Sequence, residues 1–313
     1  MLRFPEHQVA GHKAIEGKLG PLIDDYGNFY KPLQSKGRGS NEVACYKFFN
    51  SDPRVPNNIS QRYFPIFHGT KVLNASDGSG LHPHLVLEDV VSCYSNPSVI
   101  DVKIGSRTWY PESSDAYISK CLKKDRESSS IALGFRISGL KFVSSSFKED
   151  DSLSDCSLSW QPDKEFLQNL SSEDVNLVLS KFVSCNIPSN DSASPRPDRA
   201  FVNKVFGGSN GILEQLLELK QWFEVQTIYH FYSSSVLMVC ERDSLMNGKS
   251  SSGGAVVKLI DFAHVVDAKG SIDHNFLGGL CSLIKFISDI LDSPPDYDDN
   301  CISNANNGIK DEL

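Results

Sequence analysis

The stretch PSVIDVKIG, residues 97–105, places Asp101 and Lys103 two positions apart inside an otherwise apolar run. Side chains alternate along an extended strand, so these two charges share one face while Ile100, Val102 and Ile104 share the other. Such a strand either rests its apolar face on a core and turns both charges towards a cleft, or carries them as a paired surface charge. KLIDFAHV, residues 258–265, poses the same problem. There Asp261 interrupts a second apolar β run, and a buried carboxylate needs a partner or a metal to offset its desolvation.

The chain has 313 residues, room for two packed units, and its 40% hydrophobic and 22% charged residues suit a globular protein. No apolar run of about 18 residues suggests a membrane span. The N-terminus MLRFPEHQVAGHKAIEG has no apolar core of a signal peptide, so the C-terminal KDEL is not expected to act as a retrieval address. Cysteines 45, 93, 121, 156, 185, 240, 281 and 301 show no zinc spacing and read as reduced thiols of a cytoplasmic or nuclear protein. The net charge of −8 is unevenly spread. From Asp289 onwards seven acidic residues face Lys310 alone, whereas Lys103 to Lys141 holds eight basic and four acidic residues, a local excess of +4. That basic island suits an anionic ligand, although no nucleic-acid-binding motif accompanies it.

Short β-like runs at HQVAG, GPLIDDYGNFYKPLQ, YFPIFHGT and HLVLEDVV, with a helix at SNEVACYKFFN, predict a small sheet with one helix in the first hundred residues. A polar helix at SSDAYISKCLKKD and a strand at IALGFRISGLKFV follow. Two polar stretches, 144–159 and 186–200, read as loops. NGILEQLLELKQWFEVQ is an amphipathic helix, YHFYSSSVLMVCE and AVVKLIDFAHVV are strands joined by a mobile connection, and FLGGLCSLIKFISDIL is the last helix. GGSNG at 207–211 reads as a turn and cap rather than a phosphate loop.

Several side chains carry two readings. Lys31, ending a β run, and Glu42, in the first turn of the next helix, make a phosphate grip, or else a solvated lysine and a glutamate favoured by the helix dipole. LVLEDVV offers backbone groups to a purine edge with Glu88 and Val90 on the ligand side, as any edge strand would. Asp261 at a strand end suits Mg²⁺, which needs only one or two protein carboxylates, and His264 either points into the same cavity or is a satisfied half-buried side chain. Lys120, Lys123 and Lys124 share a helix face, either for an anion or for solvent. Arg136 is a bidentate phosphate donor or an ordinary strand arginine.

PSVIDVKIG fits the P-x-x-x-D-x-K-x-G signature of the inositol polyphosphate kinase family, SSSVL at 233–237 resembles its S-S-L-L element with Val236 for the first leucine, and IDFAH matches its I-D-F element. Their order, from QVAGH to DHNFLGGL, spans nearly the whole chain, and the match is nearest to the plant multikinase branch. The resemblance implies an α+β, two-lobed fold distantly like protein kinases, with ATP in a cleft between a small N-terminal lobe (1–92) and a larger C-terminal lobe (93–290), and a tail at 291–313. It implies that Lys31, held by Glu42, binds ATP phosphates and that Glu88, Asp89 and Val90 form the adenine hinge. Asp101 then contacts the ribose, Lys103 reaches the transferring phosphoryl group and the substrate, and Asp261 holds Mg²⁺ with Ser234 or Ser235. His264 lies near the inositol, and Arg38, Lys120, Lys123, Lys124 and Arg136 bind substrate phosphates, the lysines from a helical segment at about 112–130.

The implied activity is ATP- and Mg²⁺-dependent, stepwise phosphorylation of inositol 1,4,5-trisphosphate to tetrakis- and pentakisphosphate. A basic KKD helix replaces the glutamines of animal relatives, which bears on isomer preference. The rival expectations are an inositol hexakisphosphate kinase, a single-step trisphosphate 3-kinase, and a non-catalytic nuclear scaffold. The implied setting is the nucleus and cytoplasm, with nuclear protein partners.

Overall fold

The structure, a computed structural model, describes residues 1–11, 18–144, 158–184, 198–247 and 254–293. The polar stretch around 186–197, most of the serine-rich stretch and the acidic tail from 294 lie outside the described residues. The smaller lobe begins with β1 (Leu22–Ile23) and β2 (Asn28–Pro32), linked by a turn in which Asp24 accepts from the N–H groups of Tyr26 and Asn28. Helices α1 (Arg38–Ser51) and α2 (Asn57–Tyr63) follow, then β3 (Phe67–Asn74) and β4 (Leu81–Glu88). The strands form an antiparallel sheet in the order β1-β2-β4-β3. Helix α1 buries Cys45, Tyr46 and Phe49 at helical spacing, as its sequence predicts. Helix α2 was not expected, since seven residues are too few for a 3.6-residue period to stand out.

The larger lobe contains β5 (Ser98–Ile104), α3 (Asp115–Arg126), α4 (Ser130–Leu133), β6 (Phe135–Ser144), β7 (Leu158–Trp160) and α5 (Lys164–Gln168). It continues with α6 (Ser172–Phe182), α7 (Arg199–Val205), α8 (Ile212–Val225), β8 (Tyr229–Phe231), β9 (Ser235–Cys240) and α9 (Arg242–Asn247). It ends with β10 (Val256–Ile260), β11 (Val265–Asp267) and α10 (His274–Asp292). An antiparallel sheet runs β10-β9-β5-β6-β7, and β11 pairs with β8. Ile100, Val102 and Ile104 of β5, Val236 and Met238 of β9, and Val257 and Leu259 of β10 all enter the main core. The amphipathic helices α8 and α10 meet in that core, where Phe223 stacks on Phe276 at 4.3 Å. Gly279 permits the close approach of α10 to the end of β5, because a Cβ there would lie 2.1 Å from the Gly134 carbonyl oxygen. The connection expected to be mobile after β9 instead starts as a helix, α9.

One hydrophobic core runs through both lobes. Its plug is Phe262, fully buried, with ring centroids of Tyr46 and Phe49 each at 5.1 Å and of Phe64 at 5.3 Å. Asn41 of α1 donates to the carbonyls of Ala263 (2.9 Å) and Val265 (3.1 Å), fastening the smaller lobe to the segment after β10.

The N-terminal segment adds a second fastening. Arg3 exchanges two backbone hydrogen bonds with Ile23 of β1, while Val9 packs beside Tyr94, Val99 and Val239 in the larger lobe. HQVAG was expected to be a strand. It instead crosses over Gly139 of β6 as irregular chain, with only Arg3 in a β-bridge. A Cβ on Gly139 would lie 2.3 Å from the Val9 carbonyl oxygen, so the strap requires glycine there. Gly139→Val is expected to displace the strap and cost about 1–3 kcal/mol, the usual scale of overpacking, measured as a lower denaturant midpoint together with faster proteolysis of the first ten residues.

Candidate functional site

The cleft face of the larger sheet follows from strand alternation and register. Asp101 lies opposite Leu237 and Lys103 opposite Ser235, while Leu237 and Ser235 lie opposite Lys258 and Ile260 of β10. Asp101 and Lys103 therefore do share the face turned away from the core. Asp101 is 4% exposed and its Oδ1 has no hydrogen-bond partner. Burial pushes its carboxyl up to about 6, against the pull of the Lys103 ammonium. Lys103 donates to the Ser233 carbonyl and to Ser235 Oγ, and burial lowers its pKa despite Asp261 and Asp101 nearby.

Asp261 follows β10 directly and adopts φ +67°, an unfavourable conformation for a residue with a Cβ. The Ser234 hydroxyl donates to its carbonyl at 3.0 Å, and Lys31 Nζ donates to its Oδ1 at 2.7 Å. Lys103 Nζ stands 3.9 Å from Oδ2. Burial acts to raise the Asp261 carboxyl, but Lys31 and Lys103 overcome it and hold the group near 2. The same lysine Nζ donates to Glu42 Oε1 at 2.7 Å. Burial alone would depress the Lys31 ammonium, yet Asp261 and Glu42 raise it above the ordinary lysine range. Glu42 sits in the second turn of α1 rather than the first, so its carboxylate serves Lys31 and the Phe262 N–H (3.2 Å), not the helix dipole.

Among the described residues no three His, Cys, Asp or Glu side chains gather as a metal site. Asp261 offers one carboxylate, 39% exposed, beside two lysines. That donor set suits a hard divalent ion completed by phosphate oxygens and water, and does not suit an all-protein metal cage. Ser234 and Ser235 are fully buried, with hydroxyls engaged by the Asp261 carbonyl and by Lys103 respectively. Both shape the carboxylate's surroundings.

At the segment expected to form the hinge, the N–H groups of Glu88 and Asp89 donate at 2.8 Å to Ile66 O and at 2.8 Å to Gly27 O, the residues that precede β3 and β2. The Val90 N–H has no backbone partner among the described residues. The Glu88 carboxylate faces Lys258 at 3.2 Å, and Asp89 is buried with its carboxyl pushed up by burial. Glu88, Val90, Tyr94, Val256 and Lys258 line part of a cavity of about 290 Å³ against this hinge.

At the other end of the cleft is a group of cations. Arg38 opens α1, where a cation opposes the helix dipole and no acidic residue of the first turn relieves it. His264 is held down near 4 by burial and then by the charges of Arg38 and Lys103, so its imidazole is neutral at pH 7. Lys124 of α3 is half-buried, and burial together with Arg136, Lys164 and Lys103 lowers it to about 8. Lys120 is exposed, and Lys123 turns to solvent and pairs with Glu127 at 3.8 Å. Arg136 departs from its expected role as a phosphate ligand. It is 4% exposed and donates to Asp125 Oδ1 (2.9 Å) and Ser130 Oγ (2.7 Å), so its guanidinium is used internally. Asp125 also accepts from the N–H and hydroxyl of Thr108, joining α3, β6 and the loop after β5. Sequence reasoning missed Asp125, Asn41 and Tyr117. Only Tyr117, three residues before Lys120 on the same helix face, left a visible trace.

The model of the family described as inositol polyphosphate kinase matches residues 84–288. The chain is 53% identical to inositol polyphosphate multikinase beta of Arabidopsis thaliana over 98% of this chain and all of that one. It is 48% identical to a multikinase of Oryza sativa subsp. japonica over 93% of this chain and 95% of that one. A solved structure from structural and engineering studies of an inositol phosphate multikinase superposes with a TM-score of 0.63 at 47% identity, covering 80% of this chain and 99% of that one. A crystal structure of the S. cerevisiae inositol phosphate multikinase with ADP and Mn²⁺ shares the fold at 22% identity, with a TM-score of 0.61 over 84% of this chain and 99% of that one.

The internal use of Arg136 has a direct consequence for stability. Arg136→Met is expected to lower unfolding free energy by about 3–5 kcal/mol, because it strands the buried Asp125 charge. Replacing both residues by apolar ones should restore much of that loss in a denaturant titration.

Proposed function

The chain belongs to the inositol polyphosphate kinase family, and from that premise we propose that it acts as an inositol polyphosphate multikinase on inositol 1,4,5-trisphosphate and tetrakisphosphates, with ATP as donor and Mg²⁺ as metal. The observation that carries this reading is the meeting of Lys31, Lys103 and Asp261 at one point of the cleft, with Lys31 Nζ 2.7 Å and Lys103 Nζ 3.9 Å from the two oxygens of the Asp261 carboxylate. Phosphoryl transfer passes through a loose transition state with charge spread over oxygens, so a site of this kind works by position and electrostatics.

Each group has a part that its surroundings support. The unpartnered Oδ1 of Asp101 is a buried acceptor that a ribose hydroxyl satisfies. Val90 presents its amide to the adenine, and Leu237 and Ile260 offer apolar surface on the same sheet face. Lys31 and Lys103 hold the phosphate oxygens of the transferring group. Asp261, with Ser234 and Ser235 close by, would hold Mg²⁺, which when bound would supply neutralising charge to those oxygens. Arg38 and Lys124 draw the substrate phosphates to the mouth of the cleft, with Lys120 and Lys123 at its outer edge. His264, uncharged, contributes a hydrogen bond rather than a cation. The substrate hydroxyl attacks in line, and because the transition state is loose the side chains act by positioning and neutralising charge rather than by supplying a strong base.

Residence in the nucleus and cytoplasm, with protein partners in the nucleus, belongs to the same proposal. It is supported by free thiols at Cys45, Cys93, Cys121, Cys240 and Cys281, which suit a reducing compartment.

Incubation with Mg-ATP and inositol 1,4,5-trisphosphate, followed by isomer-resolved chromatography, is expected to yield tetrakisphosphate and then pentakisphosphate. Arrest after one addition would indicate a trisphosphate 3-kinase, and Asp261→Asn should lower kcat at least ~10²-fold. The pH dependence has a definite sign. Lys124 is charged below its pKa of about 8 and neutral above it, so kcat/KM for the inositol phosphate should fall as pH rises through 8. Lys124→Arg should abolish that decline while leaving the dependence on ATP concentration unchanged.

A further inference from the structure

Helix α3 carries Lys120, Lys123 and Lys124, yet Asp125 is its only buried side chain. Tyr117, Ile118, Cys121 and Leu122 are only half-buried, and a helix without a fully buried apolar side chain has low local stability, so its orientation depends on how its ends are fastened. Its C-terminal end is fastened by Asp125 to Thr108 and Arg136. At its N-terminal end the Ser114 hydroxyl accepts from the Tyr117 N–H, which satisfies a helix amide but ties α3 to nothing else.

The second fastening is the Tyr117 side chain. Its hydroxyl is hydrogen-bonded to His264 Nε2 at 3.0 Å, and the two rings lie 5.3 Å apart with planes 34° from parallel. Tyr110 approaches the same imidazole at 5.7 Å and also contacts Tyr232 at 6.4 Å. Arg107 lies over the rings of Tyr232 and Trp109, at 5.2 and 5.0 Å. Tyr117 is thus docked on an aromatic row built from the loop after β5 and from the segments flanking β9 and β10. His264 is three residues beyond Asp261, so this contact sets the start of α3 against the carboxylate that anchors the transferring phosphate. Tyr117, Lys120 and Lys124 recur at i, i+3 and i+7 and share one helix face. Fixing the first therefore aims the other two.

We propose that Tyr117 is a positioning residue: through His264 it registers the substrate-binding helix α3 against the catalytic segment 261–264, and so sets affinity for the inositol phosphate without touching the nucleotide site. The inference rests on the function proposed above for its kinetic consequence, but not for its structural one.

The test is Tyr117→Phe, which keeps the ring contact and deletes the hydroxyl, compared with Tyr117→Ala, His264→Asn and the Tyr117→Phe/His264→Asn double variant. Amide hydrogen exchange over 115–126 should quicken by roughly threefold or more in Tyr117→Phe, with exchange over 212–225 unchanged. KM for inositol trisphosphate should rise roughly fivefold, the equivalent of one neutral hydrogen bond, with KM for ATP within about twofold of wild type. Tyr117→Ala should be worse than Tyr117→Phe in both measures. The double variant should show no further loosening of 115–126 beyond His264→Asn, because the hydroxyl acts through that imidazole. Unchanged exchange in α3, additive effects in the double variant, or equal rises in both KM values would overturn the proposal. A wild-type protein that binds Mg-ATP but phosphorylates no inositol phosphate would instead count against the proposed function, and the exchange comparison would still decide the role of Tyr117.

Discussion

A carboxylate 1% exposed to solvent, that of Glu42, governs how the two lobes meet. A charge so buried is tolerable only when hydrogen-bonded and paired. Glu42 achieves this by taking the Lys31 ammonium from β2 and the Phe262 N–H from the turn after β10. That geometry brings a strand of one lobe, a helix of the same lobe and a turn of the other to a single point. Lys31 then reaches Asp261, and the strained backbone of Asp261 is held between the Ser234 hydroxyl behind it and the buried ring of Phe262 after it. The I-D-F element therefore combines two opposed demands in adjacent residues, a carboxylate presented to the cleft and an aromatic plug driven into the core.

The remaining polar groups of the cleft are distributed by strand alternation. Ile100, Val102 and Ile104 anchor β5, and this leaves Asp101 and Lys103 no orientation except towards the cleft. Neither is in a comfortable state. Burial favours the neutral form of each and their mutual attraction the charged form, while the Asp261 carboxylate favours the charged form of Lys103 and the neutral form of Asp101. In the function proposed above, a nucleotide bearing hydroxyls and phosphates relieves both, because it supplies a donor to Asp101 and an anion to Lys103. Unpartnered groups that a ligand satisfies turn desolvation, a cost in the empty protein, into differential affinity.

How much of this was legible in the sequence depended on whether a residue's role is set by local pattern or by a distant partner. PSVIDVKIG and KLIDFAHV showed their cleft-facing charges because period-2 alternation is written in the strand itself. Lys31 and Glu42 were legible as a pair because they close a short β–α connection. Arg136 was misread for the complementary reason. Its chemistry suits phosphate, but Asp125 claims it across the gap between α3 and β6, and nothing in the spacing announces a buried ion pair. HQVAG alternates like a strand, yet its register is dictated by Gly139, a residue some 130 positions away. Helices α2 and α9, with seven and six residues, are formed by tertiary contacts that outweigh weak local preference.

The two sides of the cleft consequently differ in stiffness. The nucleotide side is assembled from central strands and a continuous aromatic core, where any displacement would open a void or strand a charge. In the function proposed above, the substrate side rests on a 12-residue helix tied at its ends by an ion-pair network and by an aromatic hydrogen bond, with only half-buried apolar side chains between. A phosphate donor that never changes is well served by a rigid seat. An acceptor that gains phosphates as the reaction proceeds needs cations that can be re-aimed without disturbing that seat. Lysines meet this need better than arginines, since an ammonium on a flexible stem imposes no planar geometry on its partner. The placement of Lys120, Lys123 and Lys124 on the least buried helix of the site, and of Arg136 in the fixed network beneath it, follows that division of labour.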